Sequence, residues 1–246
     1  MEYIDVHCHL LPGVDDGSQD MDEAMEMLKI AEKNGITDAI VTPHYKQGRV
    51  GTPRKVIGEM IREVEKYARL SGLSIRLYPG TEIYYSSSVG EKLDSGWLSS
   101  MNDTEYVLVE FDPQEPFSYL RNAVDDLFGL GYHPILAHVE RYRCMLGNVD
   151  NVKALRDFGC KIQVNAGSII GDSGFKVKQF VKKLLKEELI DYVGTDAHDV
   201  KSRSPELTKC VDVIRKYCDS EYADDILFKN AKTDFFRNEL PGSNTN

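Results

Sequence analysis

Histidines and carboxylates in this sequence gather at the ends of short apolar runs, where they could hold divalent cations. His7-Cys8-His9 follows Tyr3–Val6, His44 follows Ala39–Thr42, and Glu82 follows Ile75–Pro79 after Gly80-Thr81. Glu110 closes Tyr106–Phe111, His138 follows Pro134–Ala137, and Asn165 follows Lys161–Val164. Asp196-Ala197-His198 follows Asp191–Thr195. A mixed imidazole and carboxylate set suits Mn²⁺, Fe or Zn²⁺ and needs no thiolate ligand. Cations held in this way hydrolyse phosphoesters by acidifying water and neutralising charge. His7 and His9 are two apart, as are Asp196 and His198, so an extended strand turns both members of each pair to one face. Cys8 and Ala197 then face the other way, which makes Cys8 a packing residue. One such pair is commonly incidental, and Asp15-Asp16-Gly17 alone reads as a turn. The joint pattern carries the argument, because five of the six histidines sit at strand ends. The sixth, His133, lies at the entry end of its run and is given no function.

The elements that must position these groups follow from periodicity. The seven apolar runs recur every 27 to 36 residues, about the length of a βα unit. Between them lie helical patterns. Met21, Ala24, Met25, Leu28 and Ala31 form one, ended by Gly35. Ile57, Met60, Ile61, Val64, Tyr67 and Ala68 form another, with Thr52 as cap and Pro53 at the first helical position. Val177, Phe180, Val181 and Leu184 mark a third, and Leu207, Cys210, Val211 and Ile214 a fourth that Ser204-Pro205-Glu206 opens. Alternation of this kind predicts a parallel α/β sheet, most naturally closed into a barrel, with an open doubly wound sheet as the alternative. In a barrel the strands' C-terminal ends carry the active site. One domain over residues 1–246 is expected, with about 240–246 as a frayed tail.

Composition narrows the function. The net charge of −10 disfavours nucleic acid and anionic membranes as partners, although a cation cluster could still attract an anionic substrate. No apolar run approaches the roughly 20 residues that span a bilayer, and the N-terminus does not read as a signal peptide, so a cytoplasmic enzyme is expected. The odd cysteine count and the absence of C-x-x-C point to free thiols. Six positions after the five cysteines stand Val14, Asp150, Ala166, Lys216 and Asp224. None is the arginine that a phosphocysteine loop requires.

His7-Cys8-His9, Asp15-Asp16-Gly17, Thr42-Pro43-His44, Glu82, His138 and Asp196-Ala197-His198 resemble the successive motifs of the PHP (polymerase and histidinol phosphatase) family. Val14-Asp15-Asp16-Gly17, Gly80-Thr81-Glu82-Ile83-Tyr84-Tyr85, Leu108-Val109-Glu110-Phe111 and Ala137-His138-Val139-Glu140-Arg141-Tyr142 narrow the resemblance. They are similar to the manganese-dependent protein-tyrosine phosphatases of bacterial capsule and exopolysaccharide loci. The resemblance runs from Ile4 to about Phe236 and implies a distorted (β/α)7 TIM-like barrel of the PHP fold, with two or three divalent metals, usually Mn²⁺.

Carried onto this sequence, the resemblance assigns His7, His9, Glu82 and Asp196 to one metal. Glu82 bridges to a second with Glu110 and His138, and Asp16, His44 and His198 surround a third. Arg141 and Arg203 correspond to phosphate-contacting arginines. The implied substrate is the phosphotyrosine tail of a bacterial tyrosine autokinase that controls polymer length. Four carboxylates would leave three divalent ions net positive, and the arginines add to that charge. In-line attack by water is expected, with Asp16, His44 or His198 giving a proton to the leaving oxygen. A small-molecule phosphatase such as histidinol-phosphate phosphatase is the alternative on the same barrel. A phosphodiesterase of nuclease type and a non-enzymatic binding module fit the residues less well.

Overall fold

The computed structural model describes residues 2–236. Parallel strands alternate with helices around a curled sheet. The first half holds β1 (Tyr3–Cys8), α1 (Met21–Lys33), β2 (Ile36–Val41), β3 (His44–Tyr45), α2 (Arg54–Leu70), β4 (Arg76–Pro79), β5 (Glu82–Tyr84) and α3 (Val89–Asp94). The second holds β6 (Tyr106–Glu110), α4 (Phe117–Gly129), β7 (His133–Leu136), α5 (Val149–Asp157), β8 (Lys161–Asn165), α6 (Ala166–Ile170), α7 (Phe175–Lys186) and β9 (Tyr192–Gly194). It ends in α8 (Thr208–Tyr217), α9 (Ser220–Asp224) and α10 (Asn230–Phe235). The expected tail at about 240–246 lies outside the described residues.

Hydrogen bonds order β1-β2-β4 in one sheet and β3-β5-β6-β7-β8-β9 in the other, with every pairing parallel. The two sheets are one curled surface. Thr42-Pro43 breaks a single path through the sheet into β2 and β3, and Gly80-Thr81 breaks another into β4 and β5. Counted as paths, the strands among the described residues number seven, as the resemblance implies. Pro43 has no N–H for a ladder bond, which ends β2. Gly80 lies where a Cβ would stand 2.8 Å from Ile40 Cγ2, so the second break needs a residue without a side chain. The far edge meets β1 through a Cys8–Ala197 bridge, with His9 N donating to Ala197 O at 2.9 Å and Asp196 N to His7 O at 2.7 Å. The strands therefore close on themselves, and the open doubly wound alternative is set aside.

The interior holds Ile4, Val6, Ile40, Leu108, Ile135 and Tyr192, all buried. Phe235 packs edge-on against Tyr106, the first residue of β6, and closes the strands' N-terminal ends. A larger apolar layer lies between strands and helices, and Cys8 belongs to it, fully buried. Two helix starts differ from the sequence reading. Pro53 is the N-cap of α2, not its first helical residue, and makes no capping hydrogen bond. The last long helix starts at Thr208, beyond Ser204-Pro205-Glu206. Its first turn is satisfied from a distance, because Asn34 Oδ1 accepts from Leu207 N and Thr208 N at 3.1 and 3.0 Å. Asn34 is also the C-cap of α1, where Gly35 was expected to stop the helix. Gly35 follows it with φ of 84°.

Candidate metal centre

Three groups of metal-ligating atoms lie at the C-terminal mouth of the strands. His7, His9, Glu82 and Asp196 form one, His44, Glu82 and Glu110 a second, and His9, Asp16, His44 and His198 a third. Glu82 joins the first two. Its Oε2 stands 3.1 Å from His7 Nε2, 3.2 Å from His9 Nε2 and 3.1 Å from His44 Nδ1. His138 Nε2 lies 2.7 Å from Glu82 Oε1 and 3.8 Å from Glu110 Oε2. His44 Nδ1 is 3.5 Å from Glu110 Oε1, so His44 stands as near the second group as His138 does. Asp16 is largely exposed, yet its Oδ1 reaches His44 Nε2 at 3.3 Å and His198 Nε2 at 3.4 Å. All eight residues expected as ligands, and Asp16, are thus brought together.

Local backbone explains the aim of these side chains. His44 and Glu82 sit directly opposite each other in the β3–β5 register, each the first residue of a short strand after the break. His138 and Asp196 follow their strands in the left-handed region, with φ of 34° and 52°. Alternation along a strand therefore does not set the direction of Asp196 and His198, because β9 stops at Gly194. A Cβ at Gly194 would meet His7 Cβ at 2.6 Å, so the glycine lets β9 approach β1 beneath the centre.

Three imidazoles are anchored at Nδ1, which turns Nε2 into the cluster. His7 Nδ1 donates to Gln163 Oε1 at 3.2 Å, His9 Nδ1 to Asp15 Oδ2 at 2.7 Å, and His198 Nδ1 to the Asp196 carbonyl at 2.9 Å. This is how proteins fix the tautomer of a ligating histidine. Gln163 Oε1 also accepts from His138 N at 2.7 Å, while its Nε2 donates to Asn165 Oδ1 at 2.9 Å. Asn165 Nδ2 in turn donates to Asp196 Oδ2 at 2.7 Å. Asp15 Oδ2 accepts from His44 N at 2.9 Å as well. Sequence reasoning gave a role to Asp16 and none to Asp15 or Gln163. Two adjacent carboxylates look alike in sequence, and Gln163-Val164-Asn165, although it continues the resemblance, does not show that the glutamine is buried or what it holds.

The electrostatics fit cation binding. Burial opposes charge on His7, yet Glu82 and Asp196 lift it to about 9. Burial likewise opposes charge on His9, and Asp15 and Glu82 raise it to about 9. Burial and the neighbouring His9 hold His198 down to about 4, so it is neutral at pH 7. Burial pushes Asp196 up, but His7 and Arg141 bring it below the usual carboxylate range. Glu82 Oε2, His138 Nδ1 and His198 Nε2 are buried without a hydrogen-bond partner. Donor atoms with nothing to bond are costly unless something else satisfies them. A mixed imidazole and carboxylate set of this kind fits divalent metals.

Arg141 and Arg203 close on the same carboxylate. Arg141 Nη2 donates to Asp196 Oδ2 at 2.6 Å, and Arg203 Nη2 lies 2.7 Å from Asp196 Oδ1. Both side chains are partly exposed, which leaves N–H groups to meet an anion. The contact partner of Arg141 is Asp196, while Glu140 is buried with Oε1 accepting from Asn165 N at 3.0 Å and adds to the negative field that raises Arg141. Tyr84 lines a cavity of about 530 Å³ at the centre, whereas Tyr85 is buried with its hydroxyl on Asp126 at 2.8 Å. His133 stands exposed at the start of β7, tilted against Tyr106 and edge-on to Phe128, away from the cluster.

The family described as Capsular polysaccharide synthesis, CpsB/CapC matches residues 3–235. The chain belongs to this family. The tyrosine-protein phosphatase YwqE of Bacillus subtilis is 34% identical over 218 residues, 89% of this chain and 86% of that protein. The tyrosine-protein phosphatase CpsB of Streptococcus pneumoniae is 29% identical over 234 residues, covering 93% and 96%. A crystal structure from work on YwqE of Bacillus subtilis and CpsB of Streptococcus pneumoniae, unique metal-dependent tyrosine phosphatases, matches with a TM-score of 0.88. It is 33% identical and covers 95% of this chain and 94% of that one. The CpsB/CapC family thus supplies near full-length relatives with the same barrel. No helix among the described residues is long and apolar enough to cross a membrane.

Proposed function

We propose that this chain is a metal-dependent protein-tyrosine phosphatase of one domain. Its substrate is the phosphotyrosine tail of a bacterial tyrosine autokinase in polysaccharide biosynthesis, and it works in the cytoplasm. The observation that carries this reading is the sharing of Glu82 between two ligand groups, beside two arginines that meet on Asp196. His7, His9, Glu82 and Asp196 hold one cation, Glu82 and Glu110 with His138 a second, and Asp16, His44 and His198 a third. Mn²⁺ is the proposed metal. When bound, the ions supply Lewis-acid charge and a water acidic enough to attack phosphorus near neutral pH.

The chain's own groups do the rest. Arg141 and Arg203 turn their remaining N–H groups to the phosphoryl oxygens and hold the phosphorus in line. Asp16 and His44 line the substrate cavity, where the ring nitrogen of His44 that holds no cation would pass a proton to the departing oxygen. A phenolate needs little such help, since its conjugate acid has a pKa of about 10. Cys8 takes no part, being buried with its Sγ 3.5 Å from the Ile40 carbonyl.

The test is a substrate panel on metal-stripped protein refilled with Mn²⁺. Phosphotyrosine peptides, histidinol phosphate and a phosphodiester are compared by kcat/KM, with the peptides expected to lead. A higher kcat/KM on histidinol phosphate than on every phosphopeptide would replace the tyrosine reading with the small-molecule one.

A further inference from the structure

Three neighbouring strands continue beyond the cluster in the same way. Lys46 comes two residues after His44, Tyr84 two after Glu82 on β5, and Asp112 two after Glu110, with Lys46 and Asp112 just beyond the ends of β3 and β6. Within β5, strand alternation turns Tyr84 to the same side as Glu82. Tyr45 and Ile83 turn away and are buried, with Tyr45 edge-on to Trp97. Lys46, Tyr84 and Asp112 all line the same cavity of about 530 Å³ as His44, Glu110 and His138. Tyr84 stands opposite Glu110 in the β5–β6 register. Lys46 Nζ lies 3.4 Å from the centroid of the Tyr84 ring. Phe111, Pro113 and Val50 add apolar wall. One end of the cavity thus bears the candidate ligands and Arg141, and the other is aromatic.

We infer that this wall is an aryl slot, with Tyr84 as the residue that selects an aromatic phosphoester over an alkyl one. The inference rests on the phosphatase reading and names the part of that site which recognises the ring. A phosphoryl group seated among Arg141 and the ligands places the carbon attached to its bridging oxygen in the cavity. A benzene ring there meets the Tyr84 face and the Phe111–Pro113 wall, whereas a serine-type methylene is too short to reach them. The Lys46 ammonium, already over an aromatic ring, caps the slot through the same ring-face attraction. Aromatic contacts of this kind change an equilibrium by about two- to tenfold beyond the area they bury.

The test separates ring recognition from chemistry by using non-hydrolysable anions. Phenylphosphonate and methylphosphonate are titrated calorimetrically into Mn²⁺-loaded protein, with metal content measured in each variant. The wild type is expected to bind phenylphosphonate more tightly. Tyr84→Ala should lower the methyl-to-phenyl Kd ratio about tenfold, and Tyr84→Phe should keep it. Tyr84→Gln, which retains length without the ring, should match Tyr84→Ala and guards against a collapsed strand. A wild type with no preference, or a ratio unchanged in both ring-less variants, would overturn the slot. Failure to hydrolyse phosphotyrosine peptides, with the Kd ratio behaving as expected, would instead remove the phosphatase reading and leave the slot standing.

Discussion

Replacement of Asp15 by alanine tests whether the cluster depends on residues that never touch a cation. Asp15 is almost wholly enclosed. Its carboxylate accepts from His9 Nδ1 at 2.7 Å, His44 N at 2.9 Å and Gly17 N at 3.0 Å. Gly17 is part of the device, since a Cβ there would stand 2.3 Å from the His9 carbonyl and push the turn off its seat. Truncation removes two charge-assisted bonds that orient His9 and His44, each worth about 1.5–3 kcal/mol when fully lost. Water entering from the half-open turn recovers part of that. Loss of outer partners of metal-ligating histidines costs about 10- to 100-fold in affinity, or about 1.4–2.7 kcal/mol.

Asp15→Ala should therefore weaken metal binding by about 30-fold, read by chelator competition at fixed pH, with the circular dichroism spectrum unchanged. Asp15→Asn retains an acceptor oxygen without the charge and should lose about tenfold. Burial works against the Asp15 charge, but the His9 hydrogen bond and the His44 N–H bring its pKa down to about 2. A lowered carboxylate pKa means that the charged contact is complete above the ordinary value of 3.8 and fades only as pH falls toward 2. Asp15 also lifts His9, so without it His9 gives up its proton at lower pH, and the deficit of the variant should be smaller at pH 6 than at pH 8. An affinity within twofold of wild type would refute the claim that Asp15 aims His9.

Other outcomes follow from the same geometry. His7 and His9 are raised to about 9 by the carboxylates around them and lie 3.3 Å apart through Nε2. Below that pH a proton occupies the pair and must leave on metal binding, so affinity should rise at least about tenfold per pH unit between 6.5 and 9. Calorimetry in two buffers of different ionisation heat measures the release, and a pH-independent affinity would contradict it. His138→Ala should lose one metal equivalent and most turnover while the fold survives, and normal activity would remove His138 from the centre. Cys8→Ala should keep metal content and turnover at a cost of about 1 kcal/mol in denaturant stability. A dead Cys8→Ala enzyme with full metal would mean that the thiol does more than pack. Arg203→Lys should raise KM several-fold, because an ammonium cannot span two oxygens as a guanidinium does; an unchanged KM would place Arg203 outside the phosphate site.

The residues that gather at the mouth were legible because the chemistry is local. A histidine or carboxylate after an apolar run is visible in one dimension, and seven repeats of that pattern define a closed parallel sheet. The details depended on pieces too short for periodicity to detect. His44 and Glu82 lie on strands of two and three residues that begin after Pro43 and Gly80-Thr81. Direction at His138 and Asp196 comes from left-handed backbone, which histidine and aspartate tolerate without advertising it. The start of the last long helix was misplaced because its cap, Asn34, lies at the end of the first helix, and no local rule links positions that far apart. Asp15 and Asp16 could be told apart only once the turn was seated on His9.

Closure of the barrel gives the centre a mechanical duty. His7 and His9 belong to the first strand, Asp196 and His198 follow the last, and a few backbone bonds and the Asp5–Thr195 contact join the two. A cation gripped from both sides would be a rivet across the seam where the first strand meets the last. Stripping it should loosen that seam ahead of every other strand pair, so amide exchange would quicken first along β1 and β9. In such a barrel the catalyst also works as the fastener.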